Sequence, residues 1–149
     1  LAKAERNYAV EYIRSGLPRL AEVFGPAEAA HLGRVTGRLV GAQLYKETAA
    51  LLGIAPGGAP AFGAFMAGLA AGEGDAADVS KKGDATLVHR ASWRPMRGLE
   101  PLSPAIFEAW NGLLEGALAV HDHFLTLEVL SRLDWGDAAF IWRIRRRQR

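Results

Sequence analysis

The 149-residue chain contains no cysteine. That absence removes disulfides, thiolate zinc sites and a cysteine nucleophile, because each needs the sulfur. Long apolar runs are also missing. Gly, Glu or His interrupts every hydrophobic stretch well before the roughly 18 residues that a membrane span requires. The opening residues, LAKAERNYAVEYIR, mix charged and apolar side chains at helical spacing, unlike a secretory leader. Catalytic signatures are scarce too: there is no G-x-S-x-G elbow, no phosphate-binding loop, no G-x-G-x-x-G after a strand and no H-E-x-x-H. Serine hydrolysis on an α/β-hydrolase frame and nucleotide binding on a Rossmann frame therefore lose support. The cysteine-free composition suits a cytoplasmic protein.

What is present reads as globular. Half of the residues are hydrophobic and 23% are charged, outside the range of disordered chains. No repeat or low-complexity linker divides the sequence, so a single domain over 1–149 is expected. The formal charge of +2 is uneven: without Arg143, Arg145, Arg146, Arg147 and Arg149 the remainder carries −3. Residues 143–149 thus form a basic tail on an acidic body, read as a solvated strand end. A nucleic-acid partner is not expected, since such proteins spread their cations over a folded face. No membrane partner is expected either.

Periodicity sets the element order. Tyr8, Tyr12, Ile13, Leu17, Leu20 and Val23 fall near one stripe of a helix over Ala2–Val23. Gly25-Pro26 closes it and opens a second helix, Ala27–Leu52, that stops at Gly53. Inside it Gly33, Gly37 and Gly41 recur every fourth residue. Each costs about 1 kcal/mol against alanine in a helix interior. Three in register imply close approach by another helix, a ligand or a partner chain, with helix packing the favoured reading. A homodimer through this stripe is the protein partner considered. A short third helix covers Ala61–Ala71. Strands Ala77–Lys81 and Asp84–Trp93 turn about Lys82-Gly83. Ser103 caps a helix with Pro104 in its first turn, ending near Val120. Phe124–Leu133 and Ala138–Arg146 form a second hairpin around Asp134–Asp137. Three helices, a hairpin, a helix and a hairpin make an α+β fold, with helices packed on an antiparallel sheet.

The chain has only four histidines, and two stand in VHDHF, Val120–Phe124. An H-x-H pair holds a metal when a third ligand converges, and His89, Glu47 and Glu128 are the candidates. The alternative is acid–base chemistry without metal or cofactor, with His89, His121, Asp122 and His123 as the catalytic set. Alternation places His89 with Leu87, Ala91 and Trp93 on one strand face. Burial there would make it a neutral donor and acceptor, or simply a core histidine with one hydrogen bond. Glu47 is either a half-buried base near the imidazoles or an exposed i,i+4 partner. Glu47, Tyr45, Trp93 and Trp110 are the expected contacts to a small-molecule substrate or ligand. Trp93 has the specific claim, and the remaining indoles are core by default.

A helix, the HDHF junction and a hairpin closing with LDWGDAAFIWRI form a recognisable series. FGPAEAAHLGRVTGRLVGAQLYKETAALLG and ATLVHRASW precede it in the same order of elements. From Phe24 to Ile144 the chain resembles the L-2-amino-thiazoline-4-carboxylic acid hydrolase family. It is also similar to the related 4-vinyl reductase type of small-molecule-binding domain. Gly136-Asp137 match that pattern, while Phe140 stands where a cysteine is common, and the cysteines that hold zinc in some relatives are missing. The resemblance implies a pocket between helices and sheet. For the hydrolase branch it implies opening of a C–N bond in a small heterocycle or modified amino acid. For the other branch it implies sensing of an aromatic or hydrocarbon ligand without chemistry.

Overall fold

In the computed structural model, residues 15–98 and 103–148 are described. Helix α1 spans Leu17–Phe24, so the expected helical residues 2–14 lie outside the described residues. Gly25, at φ 93°, separates α1 from α2, Pro26–Leu52. Pro26 sits at the start of α2, where its missing N–H costs nothing, and Gly53 closes the helix in the left-handed conformation. Helix α3 is Ala59–Gly72. Strands β1 (Ala77–Lys82) and β2 (Ala85–Arg90) follow, then a 3-10 turn at Arg94–Met96. Helix α4, Pro104–His121, is capped by the Ser103 hydroxyl, which accepts the Ala105 N–H. Strands β3 (Leu125–Ser131) and β4 (Phe140–Arg146) are joined through a 3-10 turn at Leu133–Trp135.

The strands pair in the order β1-β2-β4-β3, every pair antiparallel. The α+β arrangement expected from the element order is therefore present. None of the described helices is long and apolar enough to cross a membrane. Thr86, Val88, Phe140, Trp142 and Ile144 face the helices and are buried with Phe62, Phe65, Phe107, Trp110 and Leu114. These aromatics account for much of the burial, and Trp142 also donates its indole N–H to Asn111 Oδ1 at 3.0 Å.

Alternation along β2 holds, but the face facing the core is the opposite of the one expected. Thr86, Val88 and Arg90 are buried, and His89 is exposed. The physical reason is Arg90. Its guanidinium pairs with Glu73 and with Asp75, its Nε–H bonds the Ser92 carbonyl, and it lies 5.1 Å from the Trp110 ring. A cation with its hydrogen bonds answered can be buried where hydropathy alone would place it outside. The strand also stops at Arg90, so Trp93 lies beyond it and stacks on Trp110 at 4.2 Å. Trp135, expected in the core, is 64% exposed.

The glycine stripe is an intramolecular contact. A β-carbon at Gly37 would lie 2.2 Å from Ala109 O, and one at Gly41 would lie 1.9 Å from Leu113 O. On α4 the relation is reciprocal: β-carbons at Gly112 and Gly116 would meet Arg34 O at 2.5 Å and Arg38 O at 2.0 Å. The two helices thus touch backbone to backbone. Because α4 of the same chain fills this stripe, it is not available to a second copy.

Candidate functional site

The polar residues around VHDHF do not form one cluster. His121 is the last residue of α4 and Asp122 its extended C-cap, so the chain turns sharply between the two histidines. His121 points inward and is buried, while His123 is exposed. Inside, His121 meets Tyr45 from α2. Their side chains share a short hydrogen bond between the Tyr45 hydroxyl and Nδ1, and His121 Nε2 lies 2.8 Å from the Gly58 carbonyl. That carbonyl can only accept, so Nε2 carries a proton, and in the neutral ring Nδ1 accepts from the tyrosine. Phe62 and Phe65 close over the pair, with ring centroids 5.3 Å from His121 and 5.2 Å from Tyr45 respectively. Burial raises the Tyr45 hydroxyl above its ordinary pKa, which keeps it a donor.

Asp122 completes the junction from outside. Its carboxylate accepts the Gly58 N–H at 3.1 Å and the Phe124 N–H at 3.1 Å. The Gly58 N–H does most to hold this carboxyl below the usual range; burial opposes it, and the Phe124 N–H adds to the lowering. Gly58 is therefore gripped on both sides, its carbonyl by His121 and its N–H by Asp122. This ties the start of α3 to the end of α4. Chemically the arrangement is a clamp, with both ring nitrogens of His121 engaged.

The other expected site residues lie elsewhere. His89 is on the sheet face turned away from the helices, opposite Asp78 and Ile141. Glu47 is exposed on α2, and Trp93 and Trp110 are stacked in the core. Of the expected set the structure brings together Tyr45, His121 and Asp122, and separates His89, His123 and Glu47 from them. Among the described residues, no group of three metal-binding side chains converges. Glu128 is held by Arg143 and Arg145 at 2.6 Å each.

A different feature stands out on the surface. Leu32, Val35 and Leu39 follow an i, i+3, i+7 spacing on α2, roughly opposite the glycine stripe. Leu39 is 62% exposed, and Val23 and Phe24 at the neighbouring α1 corner are 73% and 61% exposed. Helix α2 is thus apolar on two sides, one sealed against α4 and one open. The spacing of Leu32, Val35 and Leu39 was available in the sequence, as was the matching four-residue period of Gly112 and Gly116. Reading only the glycine side missed both.

No family model matches the chain. No curated protein matches it either. Among solved structures it is similar to a trafficking protein particle complex subunit 3 from Naegleria fowleri, crystallised covalently bound to palmitic acid. The TM-score is 0.67 at 16% sequence identity, over 99% of this chain and 98% of that one. At that identity the likeness is one of fold. It overturns the resemblance to the L-2-amino-thiazoline-4-carboxylic acid hydrolase family and to 4-vinyl reductase type domains. The C–N hydrolase function and the sensory alternative that rested on it go with it. The Gly136-Asp137 pair that suggested the resemblance has a local cause. Gly136 takes φ 89° to close the 3-10 turn, and Asp137 accepts the Arg132 N–H at 2.9 Å. The Arg132 guanidinium in turn pairs with Asp134 and sits 3.8 Å from the Phe107 ring and 4.2 Å from the Trp135 ring. Any tight β-corner with a buried arginine could use such a pair.

Proposed function

We propose that the chain is a non-catalytic subunit of a multi-protein assembly, docking through the open face of α2 and the α1–α2 corner. The observation that carries this reading is the exposed stripe Leu32, Val35 and Leu39, with Val23 and Phe24 also exposed at the α1–α2 corner. An apolar stripe on a helix whose opposite side is already packed has no intramolecular use among the described residues, and patches of this kind are typical of protein interfaces. The same direction is supported by the fold neighbour, which is by description a complex subunit involved in trafficking. Its covalent palmitate is not part of the proposal. A thioester is chemically unavailable to a sequence without cysteine. The space between helices and sheet is instead occupied by this chain's own aromatic side chains. The partners are therefore proteins rather than a small-molecule substrate.

The test is the native size of the chain in extracts of cells that make it. A large assembly is expected, reduced to the size of the 16.0 kDa monomer by Leu39→Asp. Burying one leucine contributes about 1.5–3 kcal/mol, so its loss weakens docking by roughly 10- to 100-fold. Leu39→Asp leaves the fold intact because the side chain is exposed. A wild-type chain that elutes as a free monomer refutes the reading.

A further inference from the structure

The two edges of the sheet are chemically unlike. Strand β1 closes one side with Asp78, Lys81 and Lys82 among its six residues, charges that oppose addition of another strand. Strand β3 closes the other side with LTLEVLS, whose one ionisable group, Glu128, is already neutralised by Arg143 and Arg145. Its register against β4 is regular from Leu125 to Val129 and shifts only between Val129 and Ser131. That leaves a regular template of about five residues with one row of backbone N–H and C=O groups turned away from β4.

Beside this edge, between α4 and β3, lies a groove of about 230 Å³ with apolar walls of Leu118, Ala119, Leu125 and Leu127. His123 and Arg147 also line it. The wall residue Glu115 is bound by Arg34 and Arg38, so its charge is answered. Arg147 forms no ion pair with any carboxylate among the described residues. The groove therefore offers apolar surface, strand-pairing groups and an unanswered cation.

We infer that β3 is a docking edge for an extended segment of a partner protein. The segment adds as a fifth strand along Leu125–Val129, places alternate apolar side chains in the groove and sets a carboxylate on Arg147. Main-chain pairing supplies affinity, and the groove and the cation supply selectivity. This surface is separate from the open face of α2, and the inference does not depend on that face being used.

The experiment uses the full chain and two synthetic peptides: acetyl-Asp-Asp-Val-Thr-Val-Thr-Val-amide, and its twin with two lysines replacing the aspartates. Amide hydrogen exchange and fluorescence anisotropy are the readouts. The acidic peptide is expected to bind at least fivefold tighter than the basic one. It should also slow exchange of alternate amides within Leu125–Val129 about tenfold and leave β1 unchanged. Arg147→Glu, at an exposed position beyond β4, should reverse the peptide preference, and Leu39→Asp should leave it unaltered. Absence of protection, protection on β1, or an unchanged preference in Arg147→Glu overturns the inference. So does β3 protection that grows with protein concentration in the absence of peptide, which would assign the edge to a second copy of the chain.

Discussion

Replacing Gly41 by alanine isolates the contact between α2 and α4. In an isolated helix the change is favourable by about 1 kcal/mol, because glycine carries the larger backbone entropy cost. Here the new β-carbon would sit 1.9 Å from the carbonyl oxygen of Leu113. Ordinary contact begins near 3.4 Å, so the two backbones must part by about 1.5 Å at that point, the difference between the two distances. Neither wall of the contact is a side chain that can swing away. Overpacking of this kind costs about 1–3 kcal/mol or more. Because both walls are backbone, the cost lies toward the upper end of that range, and after the helix-propensity gain of about 1 kcal/mol the net loss is about 1–2 kcal/mol. For a chain of this size that corresponds to a fall in Tm of about 3–6 °C. Gly68→Ala is the matched control. Its β-carbon would meet only the tip of the Leu52 side chain, at 2.8 Å, and that tip can rotate. It should be neutral or slightly stabilising. Urea unfolding followed by tryptophan fluorescence and circular dichroism measures both. If Gly41→Ala proves as stable as the parent or more so, the helices are not in backbone contact and the argument fails.

Two further outcomes concern the clamp at the α4–β3 junction. Tyr45→Phe removes the hydroxyl that bonds His121 Nδ1 and leaves that nitrogen buried without a donor. A loss of about 1–3 kcal/mol in urea midpoint analysis is expected, and no change would mean that the bond contributes nothing. Asp122 has a folded pKa depressed chiefly by the Gly58 N–H, so its contribution to stability is present above the unfolded value near 3.9. That contribution fades as pH falls through the lower folded value. Thermal unfolding from pH 6 down to pH 2 should therefore show an acid-side decline, and Asp122→Asn should flatten part of it. An unchanged slope in the variant would place the acid sensitivity elsewhere.

The readable parts of the sequence were those governed by local chemistry. Gly33, Gly37 and Gly41 announced a close approach because only contact compensates for three costly residues in one helix. Ser103-Pro104 marked a helix start, and Lys82-Gly83 marked a turn that falls one residue later, at Gly83-Asp84, where Gly83 takes φ 63°. The site was harder because its partners are distant in sequence. Tyr45 and His121 are 76 positions apart, and no spacing rule links them. Arg90 reversed the expected face of β2 because its partners, Glu73 and Asp75, come from the end of α3 and the loop after it. A periodicity count treats arginine as solvent-facing and sees neither. The resemblance drawn from Gly136-Asp137 failed for a related reason. A turn motif reports backbone geometry, and unrelated chemistries share backbone geometry.

The backbone contact of α2 with α4 also bears on how the chain is made. Helix α2 leaves the ribosome well before α4, and its glycine side has no side chains with which to hold a helix together. Three interior glycines carry a combined penalty of about 3 kcal/mol in a lone helix. Until α4 is synthesised, Leu17 of α1 covers the stripe at Gly33 but nothing described covers it at Gly37 and Gly41, and the Leu32, Val35 and Leu39 stripe is attached to a fluctuating segment. The proposed docking face would therefore become competent late, once residues 104–121 have docked and made α2 rigid. A nascent chain interrupted before that point would expose the same leucines without the geometry that makes them selective. That intermediate is the one with most need of chaperone protection.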